Sequence, residues 1–166
     1  EQRFGVAQYK FNDDMPMWIE EGGAEYFGYY IIGKNNLANY KKIMKQRLKS
    51  FRKCAKKGIK LKDVERAEDA FKLRSQCDDG FEYVGGQWAT AYLASLSGSN
   101  QKVFYDFYED IAELELEKRE EGKIHQGWRE SFRKNFNMSY DDFLIEFETF
   151  IGLKSKEQLK ILDQIN

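Results

Sequence analysis

Proline and histidine each occur once in these 166 residues, cysteine occurs twice, and charge of neither sign prevails. Each scarcity excludes something. With Pro16 the single proline and few β-branched runs, the composition favours helices over sheet. The longest apolar run, around Tyr26 to Ile32, is far too short to span a bilayer, so no transmembrane segment is expected. A net charge of −1 argues against a protein that binds nucleic acid over its whole surface. No secretion signal stands at Glu1, although a mature or trimmed chain would not show one. Cys54 and Cys77 fit one disulfide, as in an exported protein, or two buried thiols. With no histidine near them in sequence, a zinc site between them is disfavoured.

What is present is a core. A hydrophobic fraction of 42%, with 16% aromatic residues, supports a packed globule rather than disorder. No repeat or low-complexity linker divides the chain, so residues 1–166 read as one unit with 1–14 as a lead-in. Phe4, Val6, Tyr9 and Phe11 alternate partially within that lead-in.

The expected elements are all helical. A helix opens at Pro16, where a missing N–H costs nothing, behind Asp13 and Asp14 as acidic caps. It ends near Gly33, with Trp18, Ile19, Gly22, Tyr26 and Tyr29 as its inward stripe. Gly22 and Gly23 each cost a helix about 1 kcal/mol relative to alanine, which suggests a very close neighbour beside Glu21. Asn36 reads as the cap of a long helix to about Lys57, with Leu37, Tyr40, Met44, Leu48, Phe51 and Ala55 facing inward. A shorter helix from Asp63 to about Gln76 offers Val64, Ala67, Ala70, Phe71 and Leu73 for packing. Another runs from Tyr83 to about Ser97, its core face carrying Trp88, Ala91, Tyr92 and Leu96. Asn100 caps the next, which carries Val103, Phe104, Phe107, Tyr108, Ile111 and Leu114. Its second half, Glu115 to Glu121, is polar nearly all round and is expected to project into solvent. Trp128, Phe132 and Phe136 face the core. Ser139 with Asp142 forms a capping box for a helix burying Phe143, Phe147, Phe150 and Ile151, and Ser155 with Gln158 marks one more start.

Two features invite partners. Lys34 to Lys62 contains no carboxylate, and lysines and arginines, Arg47 among them, crowd the outer faces of its helix. That pattern fits an anionic partner, or a solvated face balanced by the acidic run from Asp106 to Glu121; without interleaved exposed aromatics it makes a poor base-reading surface, and no specific nucleic acid is expected. His125, the lone histidine, fits either a ligand or acid–base role, or a turn residue.

The stretch Pro16-Met-Trp18-Ile-Glu20-Glu21-Gly22-Gly-Ala24-Glu25-Tyr26 resembles the third-ligand helix of gluzincin zinc metallopeptidases, the peptidase MA-like and aminopeptidase group. Downstream, Tyr83-Val-Gly-Gly86 resembles the family's Tyr-x-x-Gly helix start, and Trp128 to Phe147 is similar to its closing helices. The resemblance implies an all-α domain of about six or seven helices, the C-terminal helical half of a gluzincin. It implies Glu21 as a zinc ligand, Glu25 as the residue orienting a zinc-bound histidine, and Tyr83 as donor to the oxyanion formed in peptide hydrolysis. Zinc also needs the His-Glu-x-x-His helix, which this chain lacks. In the family that helix lies upstream, at or just before Glu1 here, so the chain is expected to be the C-terminal part of a longer protein and inactive alone. The alternative is a degenerate relative that kept the scaffold as a protein-binding or structural module. Partners are accordingly a peptide or protein substrate, or a protein partner, together with the missing N-terminal portion. The family leans the localisation toward secreted or periplasmic.

Overall fold

The computed structural model describes residues 15–98, 100–122 and 126–165. The lead-in, the expected caps Asp13 and Asp14, and His125 lie outside the described residues. Eight α-helices follow one another: α1 (Met17–Lys34), α2 (Tyr40–Ala55), α3 (Ala67–Leu73), α4 (Phe81–Leu96), α5 (Lys102–Glu120), α6 (Gly127–Phe136), α7 (Tyr140–Gly152) and α8 (Ser155–Lys160). Short 3-10 turns stand at Leu61–Val64 and Ile161–Asp163, and the described residues form no strand. The all-α class is therefore as expected, with eight helices among the described residues where six or seven were expected.

The domain is built on α4. Its near-complete burial follows from its sequence, because Gly85, Gly86, Ala89, Ala91 and Ala94 let other helices approach on several sides. The closest approach is that of α1. A Cβ placed on Gly22 would lie 2.2 Å from the Gly86 carbonyl carbon, and one on Gly86 would lie 2.5 Å from the Trp18 carbonyl oxygen. The two helices thus cross backbone against backbone at glycine, which accounts for a residue that helix propensity alone disfavours.

Aromatic rings fill the rest. Phe51 of α2 stacks on Phe81 and Trp88 with ring centroids 5.9 and 6.0 Å apart. Trp18 stacks on Phe143 of α7, and its indole N–H donates to the Tyr140 hydroxyl at 2.9 Å. That hydroxyl donates onward to Glu65 Oε1 at 2.7 Å, and the Met17 N–H donates to the Glu65 carbonyl at 2.8 Å. One loop residue therefore ties the start of α1 to the start of α7. Each of these large buried side chains contributes on the order of 2 kcal/mol by leaving water.

A disulfide joins Cys54 at the end of α2 to Cys77 just before α4. The sequence left disulfide and thiols open; the fold brings the pair together.

Several local expectations are corrected. Pro16 is the residue before α1 rather than its first turn, and makes no side-chain cap. Asn36 does not cap α2; it adopts φ 56° in the turn after α1, and Asn39 is the cap, its side chain accepting from the Lys42 N–H at 2.9 Å. Leu37 consequently falls in a turn and is 78% exposed. The segment from Asp63 breaks into a 3-10 turn and α3, which leaves Ala67 and Phe71 exposed, and Leu96 at the end of α4 is exposed too. Gln158 is no cap of α8. It is buried, donating to the Phe150 and Ile151 carbonyls that end α7 and accepting from Arg52 at 2.6 Å. The second half of α5 does not wholly project into solvent either. Glu115 is fully buried, accepting from the Gly127 N–H at 2.8 Å and from Arg119 Nε at 3.0 Å, and so supplies an acceptor at the start of α6. The Ser139 cap stands, with its hydroxyl accepting from the Asp142 N–H at 3.0 Å.

Candidate functional site

The α1–α4 crossing brings the two family-like motifs together. Glu21 adjoins Gly22 on α1, and Tyr83 lies one turn before Gly86 on α4, so fixing glycine against glycine sets both side chains at one mouth. Glu21, Glu25 and Tyr83 line a single open groove of about 330 Å³, with Ala24, Gly28, Tyr29 and Ile32 continuing it along α1. Its volume lies within the usual range for ligand sites, at the small end. Glu21, Ala24, Gly28 and Ile32 recur at helical spacing, so the groove follows one face of α1. Gly28 meets nothing within 4 Å of a virtual Cβ, which keeps the floor low and open.

The two glutamates differ in surroundings. Among the described residues the Glu21 carboxylate has no hydrogen-bond or ion-pair partner. Glu25 is held by Arg47, whose Nη2 donates to Glu25 Oε2 at 2.8 Å while its Nε donates to Gln87 Oε1 at 3.0 Å. Arg47 had been expected on the outer basic face of α2. Instead it turns inward to link α2, α1 and α4, and only 23% of its side chain remains exposed.

Tyr83 has its own support. The Arg74 guanidinium lies 5.4 Å from the Tyr83 ring centre and 5.1 Å from that of Phe71. Arg74 Nη2 in turn donates to Glu82 Oε1 at 2.8 Å, and Glu82 is fully buried in the first turn of α4. A carboxylate is favoured there by the helix dipole and by its cation, though Glu82 Oε2 and Arg74 Nε lack partners. Neither Glu82 nor Arg74 stood out in the sequence as part of the site. Burial of an acid beside a solvent-facing motif is a tertiary fact with no period to reveal it.

Zinc requires three protein ligands and an open position. Among the described residues no group of three His, Cys, Asp or Glu side chains could hold a metal ion. The groove supplies one unpaired carboxylate, a suitable oxygen donor for zinc, so these residues complete such a centre only together with donors from elsewhere. No helix among the described residues is long and apolar enough to cross a membrane. Comparison with protein-family models, with curated proteins and with solved structures found no match to this chain.

Proposed function

We propose that this chain is the helical, C-terminal part of a zinc-dependent peptidase of the gluzincin kind. The observation that supports it is the convergence of Glu21, Glu25 and Tyr83, from two motifs far apart in sequence, on one open groove. In this reading Glu21 contributes one oxygen ligand, and two histidines preceding the described residues contribute the others. Bound zinc would polarise the peptide carbonyl and activate water. Tyr83 donates its phenolic O–H to the carbonyl oxygen as negative charge develops, and the Arg74–Glu82 pair behind it keeps the ring oriented. Glu25, clamped by Arg47, sits one helical turn beyond Glu21, within reach of a histidine that approaches the groove. An extended peptide occupies the trough between Tyr29 and Tyr83. The disulfide between Cys54 and Cys77 fits an exported enzyme, since such bonds persist in oxidising compartments.

The test is Glu21→Gln in the natural polypeptide. Loss of bound zinc with an unchanged melting transition is expected, because an amide is a poor ligand while the fold does not depend on this side chain. Zinc retained at wild-type stoichiometry removes Glu21 from the site. A second reading rests on the Arg47–Glu25 ion pair, which occupies the carboxylate that would otherwise orient a histidine. It makes the domain a scaffold that binds a protein partner in the groove without metal, and it is favoured if the wild-type polypeptide holds no zinc.

A further inference from the structure

Two rows of exposed charge of opposite sign run along α2 and α5. On α2, Lys42, Lys45 and Lys49 recur at steps of three and four, with Lys56 at the C-cap on the same side. All four are exposed, and none of their ammonium groups has a hydrogen-bond or ion-pair partner among the described residues. Their neighbours differ, since Lys41 pairs with Asp163, Lys53 with Asp78 and Arg47 with Glu25. On α5, Glu109, Glu113, Glu117 and Glu120 recur at steps of four and three, again exposed and with no hydrogen bond or salt bridge among the described residues, although Lys102 acts through space on Glu109 and Lys134 on Glu113. Like charges one turn apart on a helix repel, so neither row is explained by the stability of its own helix. At about 1.5 Å per residue the lysine row extends roughly 21 Å and the glutamate row roughly 17 Å. Among the described residues no salt bridge joins the two rows.

We propose that the α2 lysine row docks on the α5 glutamate row of a second copy of this chain. Run antiparallel, Lys49, Lys45 and Lys42 step by four and three as Glu113, Glu117 and Glu120 do, so two helices laid side by side bring three lysines near three glutamates. A single anionic partner would account for the lysines and leave the glutamates unexplained; a second copy accounts for both. Because the contacting patches differ, the interaction either closes as two reciprocal contacts or extends as a head-to-tail chain. Both rows are solvated, so the association is weak and acts through charge. The groove between α1 and α4 contributes none of these residues and stays accessible.

Sedimentation of the full chain over a concentration series decides the matter. At about 0.01 M salt, where charges act over roughly 30 Å, the average mass rises above the monomer with concentration; at about 1 M, where they act over roughly 3 Å, it returns to the monomer. Replacing Lys42, Lys45 and Lys49 by Glu abolishes the rise, as does replacing Glu113, Glu117 and Glu120 by Lys. The chain carrying both sets of changes has the wild-type net charge and exchanged rows, and it associates again. All three variants are expected to keep the wild-type melting transition because the altered side chains are exposed. A monomer at every salt concentration overturns the proposal, and so does an exchanged chain that stays monomeric while the wild type associates. A wild type that remains monomeric yet binds vesicles of anionic lipid through the lysine row assigns that row to a different occupant.

Discussion

Gly22→Ala and Gly28→Ala place the same methyl group on the same helix, and the structure requires opposite outcomes. At Gly28 the methyl meets nothing within 4 Å, so only the backbone changes. Alanine there is expected to stabilise by about 0.5–1 kcal/mol, the usual gain in helix propensity. At Gly22 the methyl carbon falls 2.2, 2.3 and 2.6 Å from the Gly86 carbonyl carbon, the Gly86 Cα and the Gln87 nitrogen. These are backbone atoms of a buried helix that cannot swing aside. Restoring van der Waals distance requires α1 and α4 to separate by roughly 1 Å or more, which opens gaps around Trp18 and Trp88. Contact with backbone puts this at the upper end of overpacking costs, about 3 kcal/mol, against a propensity gain of about 1, leaving a net loss of ~2 kcal/mol. In a chain of this size that lowers the melting temperature by roughly 4–8 °C. Urea unfolding followed by far-ultraviolet circular dichroism and tryptophan emission measures both variants against wild type. A Gly22→Ala chain as stable as wild type would refute the backbone crossing, and with it the placement of Glu21 beside Tyr83.

Other expectations follow from the same packing. Tyr26, Tyr40, Tyr108 and Tyr140 are held well above the ordinary phenol range chiefly by burial, so their folded forms keep protons that the unfolded chain releases. Their contribution is complete below pH ~10 and declines as pH rises beyond it, so unfolding free energy should fall across that window, with these phenols absent from an absorbance titration until the fold is lost. Glu115→Ala removes a buried acceptor from the Gly127 N–H and from Arg119, and should cost about 3 kcal/mol in denaturant unfolding. Replacing Cys54 and Cys77 by alanine frees a loop with a sequence separation of 23, and should cost about 3 kcal/mol with little change in the folded circular dichroism spectrum. On the proposed peptidase reading, Tyr83→Phe in the natural polypeptide should lower kcat roughly 100-fold with KM little changed, as loss of one oxyanion donor does.

Helical periodicity made most of the fold legible. Trp18, Met44, Leu48, Phe51, Phe132, Phe143 and Phe147 were expected inside and are buried. The paired glycines pointed to a close crossing, and Gly22 meets one. What failed depended on contacts between elements. Asn35, Asn36 and Asn39 are all competent caps by residue type, so the start of α2 could not be chosen locally; Tyr40 packing onto Gly33 fixes it, with a virtual Gly33 Cβ only 2.6 Å from Tyr40 Cβ. Glu115 carries the same local signature as its solvated neighbours Glu113 and Glu117, and only the return of α6 buries it. Arg47 was likewise indistinguishable from the lysines around it until Glu25 and Gln87 were brought within reach. The groove was legible only through motif likeness, because a shared mouth between residues 21 and 83 is a property of the crossing.

The most direct test of the account is the zinc content of the natural polypeptide, measured by elemental analysis after dialysis against metal-free buffer. One zinc per chain, lost on Glu21→Gln and accompanied by loss of peptide hydrolysis, is the expected result. A wild-type polypeptide that folds, keeps the Cys54–Cys77 bond and holds no zinc would contradict the peptidase reading and leave the groove as a binding surface.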